Sequence, residues 1–202
     1  MTLLNLLLAL AATALALALR PWRAVTQLPW PALLLWATLP LLWSVDRLSA
    51  MPVMQPLAGS CLLLMMLGWP LAVLMLLPVV GLMSVMTDLG AADLLQRLVW
   101  LGVVPITLAM GIGAAVRRWL PHHLFVYILG RGFFATGLAL GVAGAISVAL
   151  NGVPYGLNAD DVMLARMLAA SGDAFITGMF VAIFVAFRPQ WLATYADRIY
   201  LK

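Results

Sequence analysis

The sequence predicts an all-α integral membrane protein, a compact bundle of about seven transmembrane helices, on three observations. The chain of 202 residues is 65% hydrophobic and only 9% charged. Its mean hydropathy is +1.10. Its apolar residues fall in long runs broken by short stretches of Arg, Asp, Pro and Gly. Soluble domains carry about a quarter charged residues. A soluble fold of this size has too little polar surface to cover so much apolar material, and lipid removes that limit. The whole of 1–202 is expected to form a single transmembrane domain.

A spanning helix needs about 20 mostly apolar residues. The first candidate is Thr2–Leu19, ending at Arg20-Pro21-Trp22-Arg23. No positive stretch precedes it, so it reads as a retained helix rather than a signal peptide. The second, Trp30–Ser44, carries Pro31 and Pro40 and is expected to be short and kinked. The third, Pro56–Gly68, is short enough that a re-entrant or strongly tilted segment is the alternative. A tight turn at Gly68-Trp69-Pro70 leads into the fourth, Pro70–Thr87. The fifth covers Leu98–Val116, the sixth Leu124–Leu150 and the seventh Val162–Phe187. Six spans is the alternative count.

Cationic residues orient the bundle. With the N-terminus outside, inner loops hold Arg20, Arg23, Arg117, Arg118, Arg188, Arg198 and Lys202, and outer loops hold Arg47, Arg97 and Arg166. The excess of positive charge inside predicts an N-out, C-in topology. Trp22, Trp30, Trp43, Trp69, Trp100, Trp119 and Trp191 fall near helix ends, as an interfacial belt would. The net charge of +4 is scattered between apolar runs, which points to topology and to lipid as partner rather than to nucleic acid.

The chemistry is sparse. There is no phosphate-binding G-x-x-x-x-G-K-[ST] loop and no H-E-x-x-H zinc motif. No nucleophile–base pair stands out, so the chain is not expected to be an enzyme. A single cysteine, Cys61, excludes an internal disulfide. Adjacent His122 and His123 point in different directions on a helix, and an interfacial loop is their plainer role. Asp173 falls near the middle of the seventh span, where a charge costs at least about 2.5–3.5 kcal/mol. A structural ion pair with Arg131 in the sixth span is one reading of it, and a substrate or proton site is the other. Three methionine pairs fall on the predicted outer side: Met51 and Met54, Met83 and Met86, Met163 and Met167. Their i,i+3 or i,i+4 spacing puts each pair on one helix face. Thioether sulfur is a soft ligand suited to Cu(I), and equally an adaptable apolar filler. Cys61 and Asp173 are second-choice metal ligands. Gly137, Gly141 and Ala145 in the sixth span have the spacing that lets helices approach closely.

The C-terminal third resembles a known family. Phe125-Val126-Tyr127-Ile128, Phe133-Phe134, Asp173-Ala174-Phe175-Ile176-Thr177-Gly178-Met179, Arg188-Pro189-Gln190-Trp191 and Tyr200-Leu201 recur in that order. They are similar to bacterial energy-coupling factor transporter permeases related to the CbiM/NikM components of cobalt and nickel uptake. That resemblance covers about residues 120–202. It implies a substrate-binding subunit for transition-metal uptake in the bacterial cytoplasmic (inner) membrane. A coupling transmembrane subunit and separate ATPase subunits would be its partners. Two departures bear on the metal. The family's N-terminal Met-His is Met1-Thr2 here, and its Glu in the last helix is Asp173. An imidazole site for nickel or cobalt therefore does not carry over. The alternative expectation is a non-transporting partner or assembly subunit that docks another membrane complex through the glycines of the sixth span.

Overall fold

The computed structural model describes residues 1–23, 28–48, 55–153, 158–196 and 200, and among them every regular element is helical. Among the described residues nine α-helices follow in order: α1 (Thr2–Ala18), α2 (Trp30–Trp43), α3 (Val45–Leu48), α4 (Ser60–Leu67), α5 (Trp69–Met86), α6 (Ala91–Arg97), α7 (Val104–Trp119), α8 (Ala135–Asn151) and α9 (Ala159–Phe187). A π-helical segment, Leu98–Val103, fuses α6 to α7, and a second, Val126–Phe134, leads into α8. Among the described residues five helical stretches are long and apolar enough to cross a membrane: Thr2–Arg23, Trp69–Met86, Ala91–Trp119, Val126–Asn151 and Ala159–Phe187. The 14-residue α2 is apolar but shorter.

Helices α1 and α8 bury small residues and expose large ones. On α1 the inward face is Asn5, Ala9, Ala12 and Ala16, a 4-3-4 spacing that keeps one side of a helix. Leu3, Leu6, Leu7, Leu10 and Leu17 point outward. The same inversion holds on α8, whose buried face includes Ala135, Ala139, Gly141, Ala143 and Gly144 while Leu138, Val142 and Ile146 are exposed. In water this pattern would be unstable. In a bilayer it is expected, because lipid tails solvate leucine as well as a protein core does and helices associate through close contact of small faces.

That close contact is built mainly between α8 and α9. A Cβ added at Gly132 would lie 3.3 Å from Val181, at Gly137 3.3 Å from Ala174, at Gly141 3.4 Å from Met167 Sδ, and at Gly144 3.3 Å from the Arg166 side chain. The glycines of the expected sixth span thus serve packing inside this chain.

The third expected span, Pro56–Gly68, differs most. Only its second half is helical: α4 has eight residues, all buried. Residues 55–59 enter without helix. Pro56 lacks an amide hydrogen, and Gly59 takes a left-handed φ of +61°, so the chain turns into α4 only at Ser60. Eight residues at about 1.5 Å rise give about 12 Å, too short to cross about 30 Å of hydrocarbon. Gly68, at φ +76°, then reverses the chain directly into α5. The fifth and seventh spans are longer than expected, beginning at Ala91 and Ala159. Polar residues such as Asp93, Gln96, Asp160 and Asp161 in their opening turns hid those starts from a hydropathy reading.

Candidate functional site

The site is built where the broken span meets α9. Asp173 is the fifteenth of the 29 residues of α9, and 4% of its surface is exposed. Its Oδ2 accepts a hydrogen bond from the Ala58 amide at 2.8 Å, and its Oδ1 one from the Gly59 amide at 3.0 Å. These amides stand at the N-terminal end of α4, where the helix dipole favours an anion. The left-handed conformation of Gly59 aims both amides at one carboxylate. A Cβ there would also come 3.0 Å from the end of the Leu39 side chain, so this contact adds to the preference for glycine that the left-handed φ sets.

Side chains fix the rest of the unwound segment. Trp43, fully buried, donates its indole N–H to the Ala58 carbonyl at 2.7 Å. The Ser60 hydroxyl donates to the Leu101 carbonyl at 2.6 Å, inside the first π segment. Such segments disturb the regular backbone ladder and recur at functional sites. Trp100 of the same segment donates to Asn5 of α1 at 3.0 Å. Cys61 is buried beside Asp173, with Thr136 and Ser60 as hydrogen-bond neighbours.

A narrow cleft with room for about one water molecule adjoins Asp173, with Gln55, Pro56, Trp100, Leu140 and Arg166 among its other walls. Arg166 lies seven residues before Asp173, two turns along the same face of α9. Among the described residues no hydrogen bond or ion pair holds the Arg166 guanidinium, and its Nε is buried without an acceptor.

The C-terminal end of α4 is held separately. The Ala193 amide donates to the Met66 carbonyl at 3.2 Å and the Thr194 amide to the Met65 carbonyl at 3.3 Å. The Thr194 hydroxyl donates to the Met65 carbonyl and shares a 2.8 Å hydrogen bond with the Tyr127 hydroxyl. Arg131 donates to the Thr194 carbonyl at 3.1 Å and lies over the Tyr127 ring, 5.5 Å from its centroid.

The expected Arg131–Asp173 ion pair is therefore not formed. The two charges lie toward opposite ends of α4, and backbone groups engage each of them there. Asp173 serves the amides at the helix start, and Arg131 braces the segment that covers the last carbonyls. Both placements agree in sign with the helix dipole.

The methionine ligands are dispersed or undescribed. Met51 and Met54 lie outside the described residues. Met83 is fully buried on α5 and Met86 is exposed. Met163 is half-buried on α9, and Met167 packs its sulfur against Gly141 of α8. Since α5 packs chiefly on α1 and α2 while α9 packs on α8, the two described pairs serve different helix contacts. No group of three or more His, Cys, Asp or Glu side chains that could hold a metal ion occurs among the described residues.

A further polar contact escaped the sequence reading. Arg97 at the end of α6 grips both carboxylate oxygens of Asp46 on α3 and also donates to the Trp43 carbonyl. Burial pushes the Asp46 carboxyl up. The Arg97 hydrogen bonds and charge, a backbone hydrogen bond and Arg47 outweigh it, and hold the group below its ordinary range. Sequence separation of 51 residues gave no signal of that pairing.

Comparison with known proteins finds no matching family model, no matching curated protein and no matching solved structure.

Proposed function

We propose that this chain is the substrate-binding membrane component of a transition-metal uptake system of the energy-coupling-factor kind, and that its substrate site is the cleft where the broken span meets Asp173. The observation that carries the reading is an unwound, non-helical stretch in the middle of a helical bundle, held by a buried carboxylate at a cleft. Non-helical backbone at membrane depth is tolerated only where protein buries it or a cavity solvates it. In membrane transporters such interrupted helices form the substrate sites.

The topology belongs to the same proposal. Seven crossings, N-out and C-in, place Arg20, Arg23, Arg117, Arg118 and Arg188 in the cytoplasm. The non-helical residues 55–59 add at most about 18 Å to the roughly 12 Å of α4. The sum is close to one bilayer crossing. The resemblance of the C-terminal third supplies the substrate class, a transition-metal ion, and the partners, a coupling transmembrane subunit and separate ATPases.

The test is accumulation of labelled cobalt, nickel and copper in bacterial cells that lack their own uptake systems for these metals. The chain is expressed together with coupling and ATPase subunits of the energy-coupling-factor kind. Metal accumulates above the empty-vector control and falls to that control in Asp173→Ala. Accumulation at control level for all three metals, with the chain present in the membrane, overturns the reading.

A further inference from the structure

Two of the stretches long enough to cross a membrane, Ala91–Trp119 and Val126–Asn151, are joined by a short elbow, residues 120–125. A chain of that length reaches at most about 20 Å out and back, and the headgroup layer is about 5–8 Å thick. The elbow therefore lies at the bilayer surface, whichever face that is. Its own surface is cationic and aromatic together. Arg117, Arg118, His122 and His123 are exposed, and Trp119 and Phe125 beside them are 79% and 64% exposed. Among the described residues no carboxylate pairs with either arginine. Helix dipoles do not neutralise the two charges. The carbonyl end of α7 offers about half a negative charge, and the helix that starts at Leu124 turns about half a positive charge toward the same elbow.

The elbow is also built to hold its shape. The Phe125 amide donates to His123 Nδ1 at 3.3 Å, and the His123 ring stacks on Phe125 with 5.9 Å between centroids. The Tyr127 amide donates to the His123 carbonyl at 3.0 Å. Gly130 lets the second stretch close on α7, since a Cβ there would lie 2.9 Å from the Val116 side chain. We infer that this elbow binds the headgroup of an anionic phospholipid. Arg117 and Arg118 meet its phosphate oxygens, because a guanidinium presents a planar fork of donors suited to phosphate. Trp119 and Phe125 lie against the glycerol and the first acyl carbons, at the depth interfacial aromatic rings occupy. A zwitterionic lipid carries its own ammonium charge, so a headgroup of net negative charge is the better match for two unpaired arginines. The exposed rings favour lipid over an acidic protein segment, which would leave them in water. The inference is independent of the uptake reading above.

Native mass spectrometry of the full chain in mild detergent, with phosphatidylglycerol and phosphatidylcholine in equal amounts, tests this. Each arginine near an anionic surface is worth about a fivefold preference. Wild type therefore retains phosphatidylglycerol over phosphatidylcholine by about tenfold or more. Arg117→Gln combined with Arg118→Gln removes most of that preference, and the corresponding pair of lysine substitutions keeps part of it. Arg23→Gln keeps it, since that exposed arginine ends a stretch that packs chiefly on α5. Fluorescence locates the lipid: phosphatidylglycerol with brominated acyl chains quenches the emission that Trp119→Phe removes, and does so more than brominated phosphatidylcholine. Equal retention of the two lipids by wild type overturns the inference and leaves the arginines to a protein partner. A preference unchanged in the double glutamine variant, or reduced as far by Arg23→Gln, also overturns it, as does equal quenching of Trp119 by the two lipids. A monodisperse elution of each variant separates lost binding from lost folding, and the lysine pair keeps the question decidable where the glutamine pair aggregates.

Discussion

Asp173 acts as a cap for a helix that belongs to a different part of the chain. Its two oxygens serve the amides of Ala58 and Gly59, 115 and 114 residues away in sequence. Asp173→Ala removes both acceptors and leaves two buried donors unpaired, at a cost of about 3 kcal/mol or more. Asp173→Asn keeps one acceptor oxygen and turns a donor toward the other amide, so it costs less. Thermal unfolding in mild detergent should therefore rank the wild-type chain above the asparagine variant and that above the alanine variant. Equal midpoints for the three would remove the capping role. The Asp46–Arg97 contact makes a pH-dependent contribution. A carboxyl held below its ordinary value adds stability that is present above the ordinary aspartate pKa, about 4. That contribution disappears as pH falls through the depressed value. Arg97→Gln is expected to be less stable than wild type at pH 7, with the difference closing as pH drops below about 4. A gap unchanged down to the lowest accessible pH would show that Arg97 acts through the Trp43 carbonyl alone.

At the scale of the element, the half-helix α4 organises what surrounds it. Asp173 meets its start, Ala193 and Thr194 meet its end, and Ser60 ties it to the π segment before α7. Thr194 is the most connected of these, bonded through its hydroxyl to Tyr127 and to the Met65 carbonyl. Thr194→Val keeps the shape and removes both contacts, and is expected to cost about 1–2 kcal/mol. Tyr127→Phe removes one of the same contacts, so the two substitutions together should cost less than their sum. Strict additivity in the unfolding midpoints would mean that they do not share a network. Much of this region was visible in the sequence. Asp173 stands out as a carboxylate in an apolar run, and Pro56, Gly59 and Gly68 mark a short span with breakers at both ends. What could not be read was the partner. A charge in an apolar segment signals that something must satisfy it, and Arg131 is the obvious opposite charge in the neighbouring span. The backbone amides that satisfy it carry no sequence signature, because every non-proline residue has one. Arg166 was hidden for a similar reason. It sits near the start of a long helix, where an arginine ordinarily marks an interface, and only the packing of Gly144 and Asp173 around it defines a cleft.

For the whole molecule the path of the chain between α2 and α5 sets the number of crossings. Residues 55–67 either cross the bundle as a broken span or dip in and return on the side they entered. The two paths make opposite statements about Arg47 and Asp88. A crossing by the broken span followed by α5 returns the chain to its starting side, so Arg47 and Asp88 lie on the same face. A re-entrant dip leaves α5 as the only crossing between them and puts them on opposite faces. The contacts favour the crossing. The start of α4 lies at Asp173 in the middle of α9, while its end touches the segment just beyond the last turn of α9, so α4 runs from mid-bundle to one end. Arg47 and Asp88 can each be replaced by cysteine one at a time, with Arg23→Cys and Arg118→Cys marking the other face. Cys61 is 2% exposed and can remain, since a maleimide that cannot cross membranes does not reach it. In intact cells Arg47→Cys and Asp88→Cys are expected to react, and Arg23→Cys and Arg118→Cys to react only after the membrane is permeabilised. Reaction of Asp88→Cys without Arg47→Cys, or the reverse, would show a re-entrant segment and six crossings. Reaction of the second pair alone in intact cells would keep the seven crossings and invert the orientation. Each of these outcomes also fixes which side of the membrane supplies the cleft at Arg166.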